Sequence, residues 1–237
     1  MKRVAIVVGS LVALWAVAGV GALLYFGPDR PEKYAARVGE IVDAQQASGA
    51  QGMVLLTGSS FFENWTTSGD DLAPLETLNV GIGGTRIGDQ IHYVDQLVTP
   101  FAPRALVVYA GSNDIGGMPF FTKTADQVVP KVKEYVALAR SRFPELPIYY
   151  VGIVESPSRE GVRGEIQDAN RQLAEWAAET GEITFIDTAP ALLTEDGAID
   201  GSLFGSDRLH FNDAGYSKFA AAVRDVLVPD LSSPVDD

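Results

Sequence analysis

The 237-residue chain contains no cysteine and only two histidines, His92 and His210. The first absence excludes disulfides, thiolate nucleophiles and cysteine-bound metal. The second leaves two imidazoles far apart with no third, so no metal site is expected. Basic residues are also scarce, 18 against 31 acidic, giving a formal net charge of −13. Lys2 and Arg3 are the only charges in the first 27 residues, so the remaining 16 basic and 31 acidic groups leave the body near −15. Such a surface repels nucleic acid and anionic headgroups, and its long-range field favours neutral or cationic ligands.

Charge is missing altogether from Val4 to Phe26, a run of 23 residues. At about 1.5 Å per residue this run spans roughly 34 Å as a helix, enough to cross a bilayer. Lys2 and Arg3 ahead of it predict a cytoplasmic N-terminus and an extracytoplasmic body. Ala16-Val17-Ala18 resembles a signal cleavage site, but a cut there would leave Gly19 to Phe26 as an apolar start. The expectation is therefore a single-pass anchor in the cell membrane, with secretion after cleavage as the alternative. Gly27-Pro28-Asp29-Arg30-Pro31 ends the segment. The expected organisation is an anchor or signal at 1–27, a linker and leading helix at 28–50, one globular domain at 51–228, and a disordered acidic tail at 229–237.

Within the body, apolar runs alternate with amphipathic stretches. Strands are predicted at Met53 to Thr57, Leu78 to Val80, Ala105 to Ala110, Ile148 to Val154 and Ile183 to Asp187. Helices are predicted at Glu32 to Gln46, Gly88 to Val98, Ala125 to Arg142, Glu165 to Glu179 and Asn212 to Leu227. This alternation predicts an α/β fold with a five-stranded parallel sheet covered by helices on both faces. Ligands of such sheets sit beyond the carboxyl ends of the strands. Ser60, Gly84 and Asn113 follow the first three strands, so chemistry is expected on that rim.

Four segments carry it. Gly58-Ser59-Ser60 places a serine where a strand gives way to a helix, whose free N–H groups favour developing negative charge. Alone, a serine there reads as a helix N-cap, and Ser59 and Ser60 compete for the nucleophile role. Asn79-Val80-Gly81-Ile82-Gly83-Gly84-Thr85 can aim backbone N–H groups at a ligand; its glycine spacing does not fit a dinucleotide loop. Gly111-Ser112-Asn113-Asp114 offers an amide donor at Asn113, with Asp114 bracing the loop, although Asn-Asp after a strand is also a common Asx turn. Asp207-Arg208-Leu209-His210 puts an orienting acid three residues before an imidazole base. In isolation His210 reads equally as an exposed loop histidine, and His92 as a surface residue.

Together and in this order the four blocks resemble the SGNH (GDSL-type) hydrolase superfamily of esterases and lipases, from about Met53 to Leu227. The resemblance selects Ser60 as nucleophile, with Ser59 where the family has Asp. It implies Gly84 and Asn113, beside the Ser60 N–H, as the oxyanion hole, Asn79 and Asp114 as supporting residues, and Asp207 with His210 as the rest of the triad. It implies a flavodoxin-like three-layer α/β/α sandwich and ester hydrolysis through an acyl-enzyme, needing neither metal nor organic cofactor. The expected partners are an ester-bearing lipid, glycan or small molecule, and the membrane through the N-terminal helix. Phe61, Phe62 and Trp65 after the nucleophile, with Met118, Phe120 and Phe121 after the Asn113 loop, are the candidates for an acyl pocket or flap, although Phe61 and Phe62 read at least equally well as packing helices onto the sheet. A non-catalytic binding module on the same scaffold is the alternative.

Overall fold

The structure, a computed structural model, describes residues 29–116 and 121–232. The expected anchor, Met118, Phe120 and the end of the tail lie outside the described residues. Among the described residues no helix is long and apolar enough to cross a membrane.

Five strands form one parallel sheet: β1 (Val54–Gly58), β2 (Thr77–Asn79), β3 (Ala105–Tyr109), β4 (Ile148–Val151) and β5 (Thr184–Ile186), in the order β2-β1-β3-β4-β5. Strands β1 and β3 are buried at every position, which is why their sequences read as continuous apolar runs rather than alternating ones. Alternation sets which face each residue supplies. Leu55, Leu106, Val108 and Tyr150 point into one core; Val54, Leu56, Val107 and Tyr149 point into the other.

Helices cover both faces. The first core is closed by α4 (Ile87–His92) and α5 (Val94–Leu97), α6 (Ala125–Arg142) and α7 (Arg163–Thr180). The second is closed by α2 (Ser60–Glu63), α8 (Ala189–Leu192) and the C-terminal α9 (Asp213–Ser232). The short α3 (Ser68–Asp71) lies between β1 and β2, and α1 (Ala35–Ser48) leads into the domain. This is the three-layer arrangement expected, with β2-β1-β3-β4-β5 the flavodoxin-like order. In that order the crevice opens where the chain reverses direction across the sheet, between β1 and β3.

Most element ends shift by one or two residues from expectation, and four departures carry a structural reason. Strand β4 stops at Val151: Gly152 N still donates to Ile186 O (2.9 Å), but beyond it Ile153 N donates to Asn170 Oδ1 (2.8 Å) and Val154 N to the Tyr109 hydroxyl (3.3 Å). The single helix expected over residues 88–98 is two, α4 and α5, parted at Tyr93, whose hydroxyl is tied to Pro31 O at 2.6 Å. The leading helix begins as a 3-10 turn at Pro31–Tyr34. The tail expected to be disordered from Pro229 continues α9 to Ser232, since Leu231 packs on the second core, its carbonyl accepts from Arg104, and Asp230 accepts from Tyr149.

Candidate active site

Strand β1 hands the chain to α2 through Gly58, whose φ is +145°. A Cβ there would lie 2.0 Å from the Tyr109 carbonyl oxygen on β3, so no other residue fits the turn. Ser59 follows in extended conformation, fully buried, its N–H donating to that same carbonyl (3.0 Å) and its Oγ 3.5 Å from Ser112 Oγ. Ser60 opens α2 with its Oγ 2.9 Å from His210 Nε2. The turn thus sends the two neighbouring hydroxyls in different directions, one into the body and one to the imidazole.

His210 comes from the loop ahead of α9, 150 positions from Ser60. Its Nδ1 lies 2.7 Å from Asp207 Oδ2. The other carboxylate oxygen accepts the backbone N–H groups of Leu209 (2.9 Å) and His210 (3.1 Å). The Leu209 amide first, and then the imidazole, lower Asp207 to about 2, although partial burial opposes them. Asp207 therefore stays ionised and accepts a hydrogen bond from Nδ1–H, which leaves Nε2 unprotonated and facing the Ser60 hydroxyl. The loop is held by Gly205 N to His210 O (2.8 Å), Ser158 N to Arg208 O (2.9 Å) and a bridge between Phe204 and Phe211. Arg208 adopts φ +57° to make the turn between acid and base.

Facing Ser60 are two backbone N–H groups without a protein acceptor among the described residues, its own and that of Gly84. The preceding amide, Gly83 N, is occupied by Glu63 Oε2 at 2.9 Å. Gly84 turns at φ +79°, and its carbonyl accepts the Tyr34 hydroxyl at 2.7 Å. Asn113 Nδ2 donates one hydrogen to Thr85 O (3.1 Å), leaving its second for the cleft. Asn79 ties this loop to α2, donating to Phe62 O (2.6 Å) and accepting from Gly81 N (3.0 Å). Asp114 is fully buried, accepts Ile87 N (2.9 Å) and Lys123 Nζ (2.7 Å), and so braces the Asn113 loop against α4. Burial raises its pKa, which the Lys123 ammonium opposes.

Tyr34→Phe should leave the fold intact and lower kcat about 3- to 10-fold, the range of one hydrogen bond worth roughly 1 kcal/mol. Kinetics on the purified variant check this; unchanged kcat would mean that the Gly84 turn holds itself.

These groups line a cleft of about 670 Å³. Phe61, Phe62 and Trp65 do not line it. Phe61 and Phe62 on α2 and Trp65 just after it turn into the core against Tyr109 and Phe219, and each is at most 1% exposed. Phe61 and Phe62 thus take the core-packing alternative, and the pocket role of Trp65 is corrected to core packing; of the second aromatic group, Phe121 does line the cleft. The expectation from net charge also needs correction locally. Lys33, Arg86 and Arg159 line the cleft against one carboxylate, Glu63, so its sign departs from that of the body. Sequence reasoning missed Tyr34, Gln90 and Arg159. Gln90 spans the site from beneath, donating to Gly58 O (3.1 Å) and Thr85 Oγ1 (2.9 Å) and accepting from Thr57 (2.9 Å).

A parallel flavodoxin-like sheet with serine, imidazole and carboxylate in sequence at its carboxyl edge defines an α/β hydrolytic class of protein. The GDSL-like Lipase/Acylhydrolase family model matches residues 17–218, and the chain belongs to that family of ester hydrolases. No curated protein matches it in sequence. Solved structures share the fold. A candidate platelet activating factor from Streptococcus pneumonia is 19% identical with a TM-score of 0.73, covering 91% of this chain and 99% of that one. A GDSL-like lipase from Bacteroides thetaiotaomicron is 19% identical with a TM-score of 0.66, covering 85% and 98%. The family 3 carbohydrate esterase of Clostridium thermocellum is 13% identical with a TM-score of 0.59, covering 77% and 98%.

Proposed function

We propose that this protein is a serine-dependent hydrolase of carboxylic esters. The observation that carries the reading is the unbroken line Ser60 Oγ, His210, Asp207, at 2.9 and 2.7 Å, opening onto a cleft with two unclaimed N–H groups. In this reading Ser60 attacks the ester carbonyl while His210 Nε2 takes its proton. The oxyanion is received by the N–H groups of Ser60 and Gly84 and by the Asn113 amide. His210 then protonates the departing alcohol; water, deprotonated by the same nitrogen, releases the acid. Asp207 holds the imidazole in the required tautomer throughout.

The cleft also speaks to substrate. Its described wall is polar and cationic, and Phe121 and Leu209 are its only large apolar side chains among the described residues. That lining supports a short acyl group on a polar alcohol, such as an O-acetylated sugar, over a long fatty chain. Location supports the same reading. Asp29 to Tyr34 dock beside the site, with Lys33 in its wall. Phe26 is three residues from Asp29, so an anchor ending there would keep Asp29 within about 11 Å of chain from the membrane. The proposed setting is thus an extracytoplasmic body tethered to the cell membrane, acting on envelope esters.

A fluorophosphonate should label the protein once, on the Ser60 peptide by mass spectrometry, and p-nitrophenyl esters should be cleaved faster at C2 than at C16, with acetylated sugars as substrates. Labelling elsewhere, or none with no turnover of any ester, would remove the proposal.

A further inference from the structure

Arg159 has no place in the triad or among the oxyanion donors, yet it is the most unusual charge in the molecule. It lies in the 3-10 turn Pro157–Val162, is 6% exposed, and reaches the wall of the catalytic cleft. Its Nη2 donates to Asn113 Oδ1 at 3.0 Å. Its Nη1 is buried with no hydrogen-bond partner, and no carboxylate among the described residues forms an ion pair with it. The nearby buried acid, Asp114, is already held by Lys123 at 2.7 Å. Burying a guanidinium without a counter-ion is costly, and a purely structural arginine is normally paired.

Its contact with Asn113 explains what it does. A carboxamide can sit in either of two flips. Arginine only donates, and the Thr85 carbonyl only accepts. The amide oxygen must therefore face Arg159 and the amide nitrogen must face Thr85, which points the second N–H into the cleft. The opposite flip would set donor against donor and acceptor against acceptor. The guanidinium also draws electron density from the carboxamide oxygen, so the remaining N–H becomes a stronger donor as negative charge develops in front of it. The same turn holds the base, since Ser158 N donates to Arg208 O in the His210 loop (2.9 Å).

We propose that Arg159 is a positioning residue for ester hydrolysis: it locks the Asn113 amide with its N–H toward the oxyanion and polarises that amide as the donor. This rests on the serine-hydrolase reading and deepens it. The effect belongs to the transition state, so it should appear in kcat and not in KM.

The test is steady-state hydrolysis of p-nitrophenyl acetate by the full chain carrying Arg159→Met, Arg159→Lys, Asn113→Ala, and each Arg159 variant combined with Asn113→Ala. Arg159→Met should lower kcat about 30- to 100-fold, approaching the loss of one oxyanion donor, with KM within about 3-fold of wild type. Arg159→Lys, which keeps a charged donor, should recover part of this. In the Asn113→Ala background either Arg159 change should cost no more than about 3-fold further, because the amide it serves is gone. Where Arg159→Met does not fold, as judged by thermal unfolding, the Arg159→Lys cycle carries the same comparison. A near-normal kcat in Arg159→Met, a loss confined to KM, or losses that multiply with Asn113→Ala would each overturn the assignment. Failure of the hydrolase reading looks different: wild type would then be no faster than Ser60→Ala.

Discussion

Ser60→Ala is expected to lower kcat for p-nitrophenyl acetate by about 10⁴-fold or more, whereas Ser59→Ala should lower it by less than about 3-fold. The contrast follows from one turn. Gly58 can take φ +145° only because it has no Cβ to meet Tyr109 O, and the two residues after it then diverge. Ser60 meets His210 at 2.9 Å, while Ser59 is sealed behind it with Ser112 as its side-chain neighbour. A hydroxyl without a base has a pKa far from neutrality and attacks no ester at a useful rate. Removing Ser59 Oγ costs only a long hydroxyl–hydroxyl contact of 3.5 Å, because its structural bonds run through the backbone, N to Tyr109 O and O to Phe62 and Glu63 N. The measurement is kcat for the two variants side by side. A large loss in Ser59→Ala with activity kept in Ser60→Ala would mean that the nucleophile had been misassigned.

The serine pair also shows how much of the site was legible in the chain. From residue types alone the two serines were equivalent, and the resemblance to an established hydrolase pattern was needed to choose between them. Geometry separates them for a reason that no local pattern carries: the direction of each hydroxyl depends on the carbonyl of Tyr109, a neighbour across the sheet. The sheet itself was legible because its central strands, buried on both faces, leave continuous apolar runs in the sequence. Strand ends were less so; β4 stops where the Asn170 side chain and the Tyr109 hydroxyl capture its amides, and both are long-range partners. Trp65 misled for the opposite reason. Proximity in sequence to Ser60 suggested the cleft, but the chain just past α2 turns it into the core against Phe219. Tyr34, Gln90 and Arg159 had no signal at all, since each reaches the site through bonds to loops far away in sequence.

Asp207→Asn should lower kcat by about 10³- to 10⁴-fold with KM nearly unchanged. The carboxylate does two things at once: Oδ2 accepts a hydrogen bond from Nδ1–H of His210, and Oδ1 accepts the N–H groups of Leu209 and His210. An amide cannot do both. With its nitrogen toward the ring it donates to Nδ1, forcing the proton onto Nε2, which can then no longer receive one from Ser60. With its nitrogen turned the other way it faces two backbone donors and loses both bonds. Either orientation disables the base, by tautomer or by position, while leaving the cleft that binds substrate untouched. Stability should change much less than catalysis, because Asp207 is half exposed at 52% and its interactions are screened by water. The sign of the remaining effect is fixed. Its pKa falls from an ordinary value near 3.9 to about 2, so the wild-type carboxylate stabilises the fold above about pH 4 and ceases to do so as the pH drops toward 2. The thermal midpoints of wild type and Asp207→Asn should therefore converge over that interval, while at neutral pH the two remain separated most of all in kcat. Near-normal kcat in the variant would mean that a different acid orients His210.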